Sequence, residues 1–153
     1  FPKAESIVLK DTVMLPPEAY NSTRRQYHSS FLLHVIKQYL EKNNADKILG
    51  ITTSDLYVPQ LNFVFGEAEL SGKAAIVSLH RLESQSYGEP VNHTIFLERA
   101  AKEAIHEVGH TFGLEHCSNP SCVMSFSNTI RAVDTKKQEF CQKCSRRISE
   151  LIQ

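Results

Sequence analysis

His106-Glu107-Val108-Gly109-His110-Thr111-Phe112-Gly113-Leu114-Glu115-His116 sets three imidazoles, with the Glu107 carboxyl beside the first, into a short, regular pattern. On an α-helix each residue advances about 100°, so a four-residue step returns to nearly the same side one turn along. His106 and His110 therefore aim two nitrogens at one point. Gly113 suits the left-handed backbone that ends a helix and turns the chain sharply. That turn brings His116 round as a third nitrogen. Zinc binds such nitrogens at about 2.0–2.1 Å, and a catalytic zinc takes three protein ligands and keeps one position open. Glu107 need not touch the metal: it is placed to take a proton from a water activated there and pass it to a leaving amine. Two histidines at this spacing occur on many surface helices, but the terminal glycine and the third histidine make coincidence a poor explanation. His28, His34, His80 and His93 read as packing or surface residues.

Working outward, the helix that carries the motif starts near Asn92, with Leu97, Ala101, Ile105, Val108 and Phe112 as its apolar stripe. Upstream, Ile7–Leu9 reads as a short buried strand, and Pro16-Pro17 interrupts regular structure after it. Phe31, Val35 and Tyr39 recur every four residues and predict a helix from Ser22 to about Glu41. Strands are expected at Lys47–Thr53, Leu61–Phe65 and Ala74–Leu79, with a loop at Tyr87–Pro90. Downstream, Asp134 is placed to cap a last helix carrying Phe140, Cys144, Ile148 and Ile152. The organisation expected is a sheet-and-helix subdomain over 1–113, then a small subdomain over 114–153.

Composition sets the outer limits. Of 153 residues 41% are hydrophobic and 22% charged, which suits a globular domain with a sizeable core. Seventeen basic residues balance seventeen acidic ones, so no charge excess marks a nucleic-acid surface. The apolar runs are far too short for a membrane span, and no export signal stands out. A cytoplasmic monomer is the expectation, acting on peptide or protein and engaging neither nucleic acid nor membrane.

The four cysteines, Cys117, Cys122, Cys141 and Cys144, form two close pairs separated by eighteen residues. Such spacing lets four thiolates close around a structural zinc. Two disulfides in an exported chain are the rival reading, with three possible pairings, and Asn21-Ser22-Thr23 and Asn92-His93-Thr94 match the glycosylation triplet. Rarity of disulfides in reducing compartments favours zinc. A non-catalytic alternative also stands: a zinc-stabilised module binding nucleic acid or protein, for which Lys136, Lys137, Lys143, Arg146 and Arg147 would form the patch.

The extended histidine motif resembles that of the metzincin zinc peptidases, and within them the archaemetzincins (archaelysins). The likeness continues through Cys117, Cys122-Val123-Met124 and Cys141-Gln142-Lys143-Cys144, and includes Leu61–Ala68 and Ser78–Leu82. The resemblance implies a mixed α/β (α+β) metzincin-like fold. It has a twisted, mostly parallel sheet with an antiparallel edge strand, two main helices and a zinc-stapled C-terminal part. It implies a metallopeptidase with two zinc ions per chain, one catalytic on His106, His110 and His116 and one structural on the four cysteines. Glu107 would be the general base and Met124 the floor of a Met-turn. An edge strand above the cleft, Leu61–Ala68, would pair with extended substrate by backbone hydrogen bonds. Arg81 and Glu67 read as structural rather than substrate-contacting. The chain departs from the family pattern in two places. The family's first strand and helix precede the segment matching Ile7–Leu9, and Phe126 stands where some metzincins carry a ligating tyrosine.

Overall fold

The computed structural model describes residue 1, residues 4–10 and residues 12–152. In chain order it forms β1 (Tyr20–Asn21), β2 (Gln26–His28), α1 (Ser29–Lys37), α2 (Tyr39–Asn43), β3 (Ile48–Thr52) and β4 (Leu56–Tyr57). Next come β5 (Gly66–Ala68), β6 (Ala74–Ser78), α3 (His93–Thr111), α4 (Ile130–Thr135) and α5 (Gln142–Leu151).

The architecture is mixed α/β with two small sheets. In the first, β2 pairs antiparallel with β1 and parallel with β4. In the second, β6 is central, parallel to β3 and antiparallel to the edge strand β5. Every residue of β6 is buried, as a central strand covered on both faces requires. α1 lays Leu32, Leu33 and Ile36 on Ala74 and Ile76, and Phe65, Val77, Leu82 and Val133 form a second cluster. The third cluster, Leu114, Cys122, Val123, Met124, Cys144 and Ile148, has its buried members in the C-terminal part, with Ile105 and Phe112 packed against it. Among the described residues no helix is long and apolar enough to cross a membrane.

Several expectations are corrected. Ile7–Leu9 forms no strand: Ile7 is 66% and Val8 98% exposed, and no strand pairs with the segment. The helix expected from Ser22 begins only at Ser29, because Asn21 Oδ1 accepts from the Arg24 N–H at 3.0 Å and Arg25 takes φ 58°, which closes a hairpin first. Leu61–Phe65 is irregular apart from one bridge, Leu56 to Val64, and the edge strand is confined to Gly66–Ala68. Asp134 lies inside α4, while the last helix begins at Gln142 with Cys141 at its N-cap.

The largest correction concerns α3. Its start is as read: the Asn92 side chain accepts from the Ile95 N–H at 3.1 Å. Its apolar stripe, however, is only part of its packed face: Ile105 and Phe112 rest against the C-terminal core cluster. Leu97 is 64% exposed, whereas Arg99, Lys102, Glu103, His106 and Glu107 are buried. The reason is a polar seam with the C-terminal part. Arg99 makes paired hydrogen bonds to Asp134 at 2.7 and 2.8 Å and a third to the Leu82 carbonyl. Lys102 donates to the carbonyls of Val133 and Asp134 at the end of α4. Glu103 pairs with Lys136 at 2.8 Å, and both are buried. Lys136 is thereby removed from the surface patch that the sequence suggested.

Candidate active site

The end of α3 builds the first half of the site. Gly113 takes φ 96°, the left-handed conformation that a side chain would oppose. The Gly113 N–H then donates to the His110 carbonyl at 2.9 Å and the Leu114 N–H to the Gly109 carbonyl at 3.1 Å, which is a Schellman cap. The tip of the β5–β6 hairpin locks that end in place. Ser71 N–H donates to the His110 carbonyl, and Lys47 Nζ to the carbonyls of Gly72 and Thr111.

The three motif histidines come together: their ligand atoms lie within 4.8 Å of one another. Backbone carbonyls orient two of the rings, His106 Nδ1 on Val123 O at 2.8 Å and His110 Nδ1 on Leu114 O at 2.6 Å. Those acceptors place the hydrogens on Nδ1 and leave both Nε2 lone pairs free. The two Nε2 atoms nonetheless face each other at 3.1 Å. Burial, followed by the Lys136 charge, drives His106 down to about 2, so an added proton does not resolve the repulsion. Burial lowers His110 and His116 as well. Neutral, converging imidazoles are a cation site, and bonds of about 2.0–2.1 Å in a tetrahedron put nitrogens about 3.3–3.4 Å apart. The donor set fits zinc.

Glu107 is buried beside this cluster. Burial, then the nearby Glu103 charge, raises its carboxyl well above the usual range. A carboxyl so placed accepts a proton readily and can return it to a basic nitrogen. Glu107 and the histidines line a cleft of about 540 Å³ with Gly66, Glu67 and Ala68 of β5 on one side and Phe126, Ser127 and Asn128 on the other. Gly66 lets that wall come close: a Cβ there would meet Glu107 Cγ at 2.6 Å and the Ile76 carbonyl at 2.7 Å. Gly66→Ala is therefore expected to shift β5 or Glu107. Turnover should fall about 10–10²-fold, with a stability loss of about 1–3 kcal/mol, measured by steady-state kinetics and urea denaturation. Glu67 is held by the hydroxyls of Ser29 and Ser30, and Arg81 by Asp55 at 2.7 and 2.8 Å, which are structural ties.

Below the histidines, Met124 is fully buried, and a Cβ on Gly109 would lie 2.5 Å from its Sδ. Met124 O accepts from the Cys117 N–H at 2.8 Å, and Phe126 packs on the His116 ring with centroids 5.0 Å apart. The four cysteine sulfurs also converge within 4.8 Å, all free. Cys117 and Cys141 sulfurs are 3.7 Å apart. That is far beyond the about 2.05 Å of a disulfide. It matches the edge of about 3.8 Å of a tetrahedron with bonds of about 2.3 Å to zinc. A hydrogen bond from the Cys144 N–H lowers the Cys141 thiol to about 7, toward the thiolate form that a metal takes.

The sequence missed the carbonyls of Val123 and Leu114, Gly66, and the pair Glu103–Lys136. Glu103 alone left a signal, since it stands three and four residues before His106 and Glu107, on the same helical side.

Known proteins resemble this chain in sequence and fold. Residues 5–150 match the model of Peptidase family M54. An archaemetzincin of Methanocaldococcus jannaschii is 47% identical over 136 residues, covering 89% of this chain and 73% of that protein. The crystal structure of archaemetzincin from Methanopyrus kandleri superposes with a TM-score of 0.83 at 42% identity, covering 90% of this chain and 72% of the other. A zinc-dependent peptidase from Methanocorpusculum labreanum gives 0.80 at 34% identity, covering 90% and 82%.

Proposed function

The chain belongs to peptidase family M54 and is a zinc metallopeptidase, and from that premise we propose which residues do the work. His106, His110 and His116 hold the catalytic zinc, Glu107 is the general base, and Met124 is the floor beneath the site. Cys117, Cys122, Cys141 and Cys144 hold a second, structural zinc, giving two ions per chain. The observation that carries the reading is the pair of Nε2 atoms facing each other at 3.1 Å with their Nδ1 atoms committed to carbonyls.

Zinc, when bound, supplies a Lewis acid that polarises the scissile carbonyl and makes water a better nucleophile. The chain's own residues do the rest. Val123 and Leu114 carbonyls fix the two helix-borne imidazoles before substrate arrives. Glu107 takes the proton of the attacking water and delivers it to the leaving amine. β5 has its outer edge open beside the cleft, so Gly66–Ala68 can pair with an extended peptide through backbone groups. That mode holds peptides without reading their side chains.

The proposal extends to organisation and setting. Residues 1–113 form the upper part and 114–153 the lower, with the site between them; the C-terminal core cluster supports the division. A thiolate-bound zinc suits a reducing compartment such as the cytoplasm, and the protein is proposed to act as a monomer. The test is cleavage of a peptide library, read by mass spectrometry, with and without a chelator. Cleavage that stops with the chelator and returns with added zinc is the expected result. Cleavage that persists after zinc is shown to be gone would refute the metal-dependent reading.

A further inference from the structure

Lys136, the residue after α4, has a side chain with no exposed surface. Its Nζ lies 2.8 Å from Glu103 Oε1, 3.4 Å from the Ser125 carbonyl and 3.5 Å from His106 Nδ1. The first two accept from the ammonium and the third is only a neighbour, and all three come from different parts of the site. Glu103 is on α3 one turn before Glu107, Ser125 follows Met124, and His106 is the first motif histidine. Val123, whose carbonyl orients His106, is two residues before Ser125.

A buried ammonium is costly unless a counter-charge and further polar groups surround it. An apolar side chain would fill the same volume at less cost, so an ammonium here fixes where its partners sit rather than adding stability. We propose that Lys136 and Glu103 are a positioning pair. They hold the Val123–Ser125 segment against α3, so that the Val123 carbonyl meets His106 Nδ1, and thereby set how tightly the histidine site binds zinc. The proposal rests on the reading that His106, His110 and His116 hold that zinc.

Two variants separate positioning from stability. In Glu103→Leu with Lys136→Met, the pair is removed as a unit and replaced by apolar side chains. This double variant is expected to fold, with a denaturation midpoint equal to or above that of the unaltered protein. Its histidine site should bind zinc about 10–100-fold more weakly by competition with a chelator. Cobalt placed in that site should show shifted d–d absorption bands. Lys136→Met alone, which strands the Glu103 carboxylate, should be less stable than the double variant. A folded double variant with unaltered zinc affinity and cobalt spectrum overturns the proposal. So does a double variant that fails to fold, since the pair would then serve the fold itself. The underlying ligand assignment is checked separately: it fails if His110→Ala leaves the zinc content of the unaltered protein unchanged.

Discussion

Glu107→Ala is expected to retain its zinc and to lose roughly 10²–10⁴-fold in kcat, the usual contribution of a general base. The carboxyl is not among the three converging nitrogens, so its removal leaves the donor set whole. It is buried against Gly66 and raised in proton affinity by burial and Glu103, an environment suited to carrying a proton between water and amine. Glu107→Gln sharpens the test because it keeps the shape and removes the base. If both variants lose activity while metal analysis finds their zinc intact, proton transfer is the missing function. An unchanged rate on a cleavable peptide would remove Glu107 from the mechanism.

Cys144→Ser should have the largest effect on stability. Cys122 and Cys144 sit inside the C-terminal core cluster, so a ligand lost there is lost from the middle of that core. Structural zinc in small domains contributes about 10–16 kcal/mol of apparent binding energy. Whole domains are stable by only about 5–15 kcal/mol. Loss of one thiolate is thus expected to unfold the part after His116, seen as lost amide protection there and the loss of one zinc ion. Because Cys117 comes directly after His116, the histidine site should weaken as well. A Cys144→Ser protein that stays folded and fully active would contradict the role.

The sequence showed the histidine helix, its Asn92 start, its Gly113 stop and the residues of both candidate metal clusters, because each depends on short-range spacing. β3 and β6 were legible for a similar reason, as short runs of apolar, β-branched residues. What failed was decided by partners far away in the chain. The stripe on α3 was read from apolar periodicity alone, yet the helix buries Arg99, Lys102 and Glu103 because Asp134, Val133 and Lys136 wait on the facing segment. Nothing local to Lys136 marks it as buried, and a run of basic residues suggested a surface. Ile7–Leu9 has the composition of a strand but no pairing edge, and Leu61–Phe65 yields to an irregular course held by the Gln26 amide on the Asn62 carbonyl and Arg24 on the Leu61 carbonyl.

The most direct test of the central claim is an anomalous-difference map from crystals of the zinc-loaded protein, recorded on both sides of the zinc edge. Two peaks per chain are predicted, one at the meeting point of the His106, His110 and His116 nitrogens and one among the four cysteine sulfurs. A map with zinc among the sulfurs and none at the histidines, under conditions in which the same preparation cleaves peptide, would contradict it.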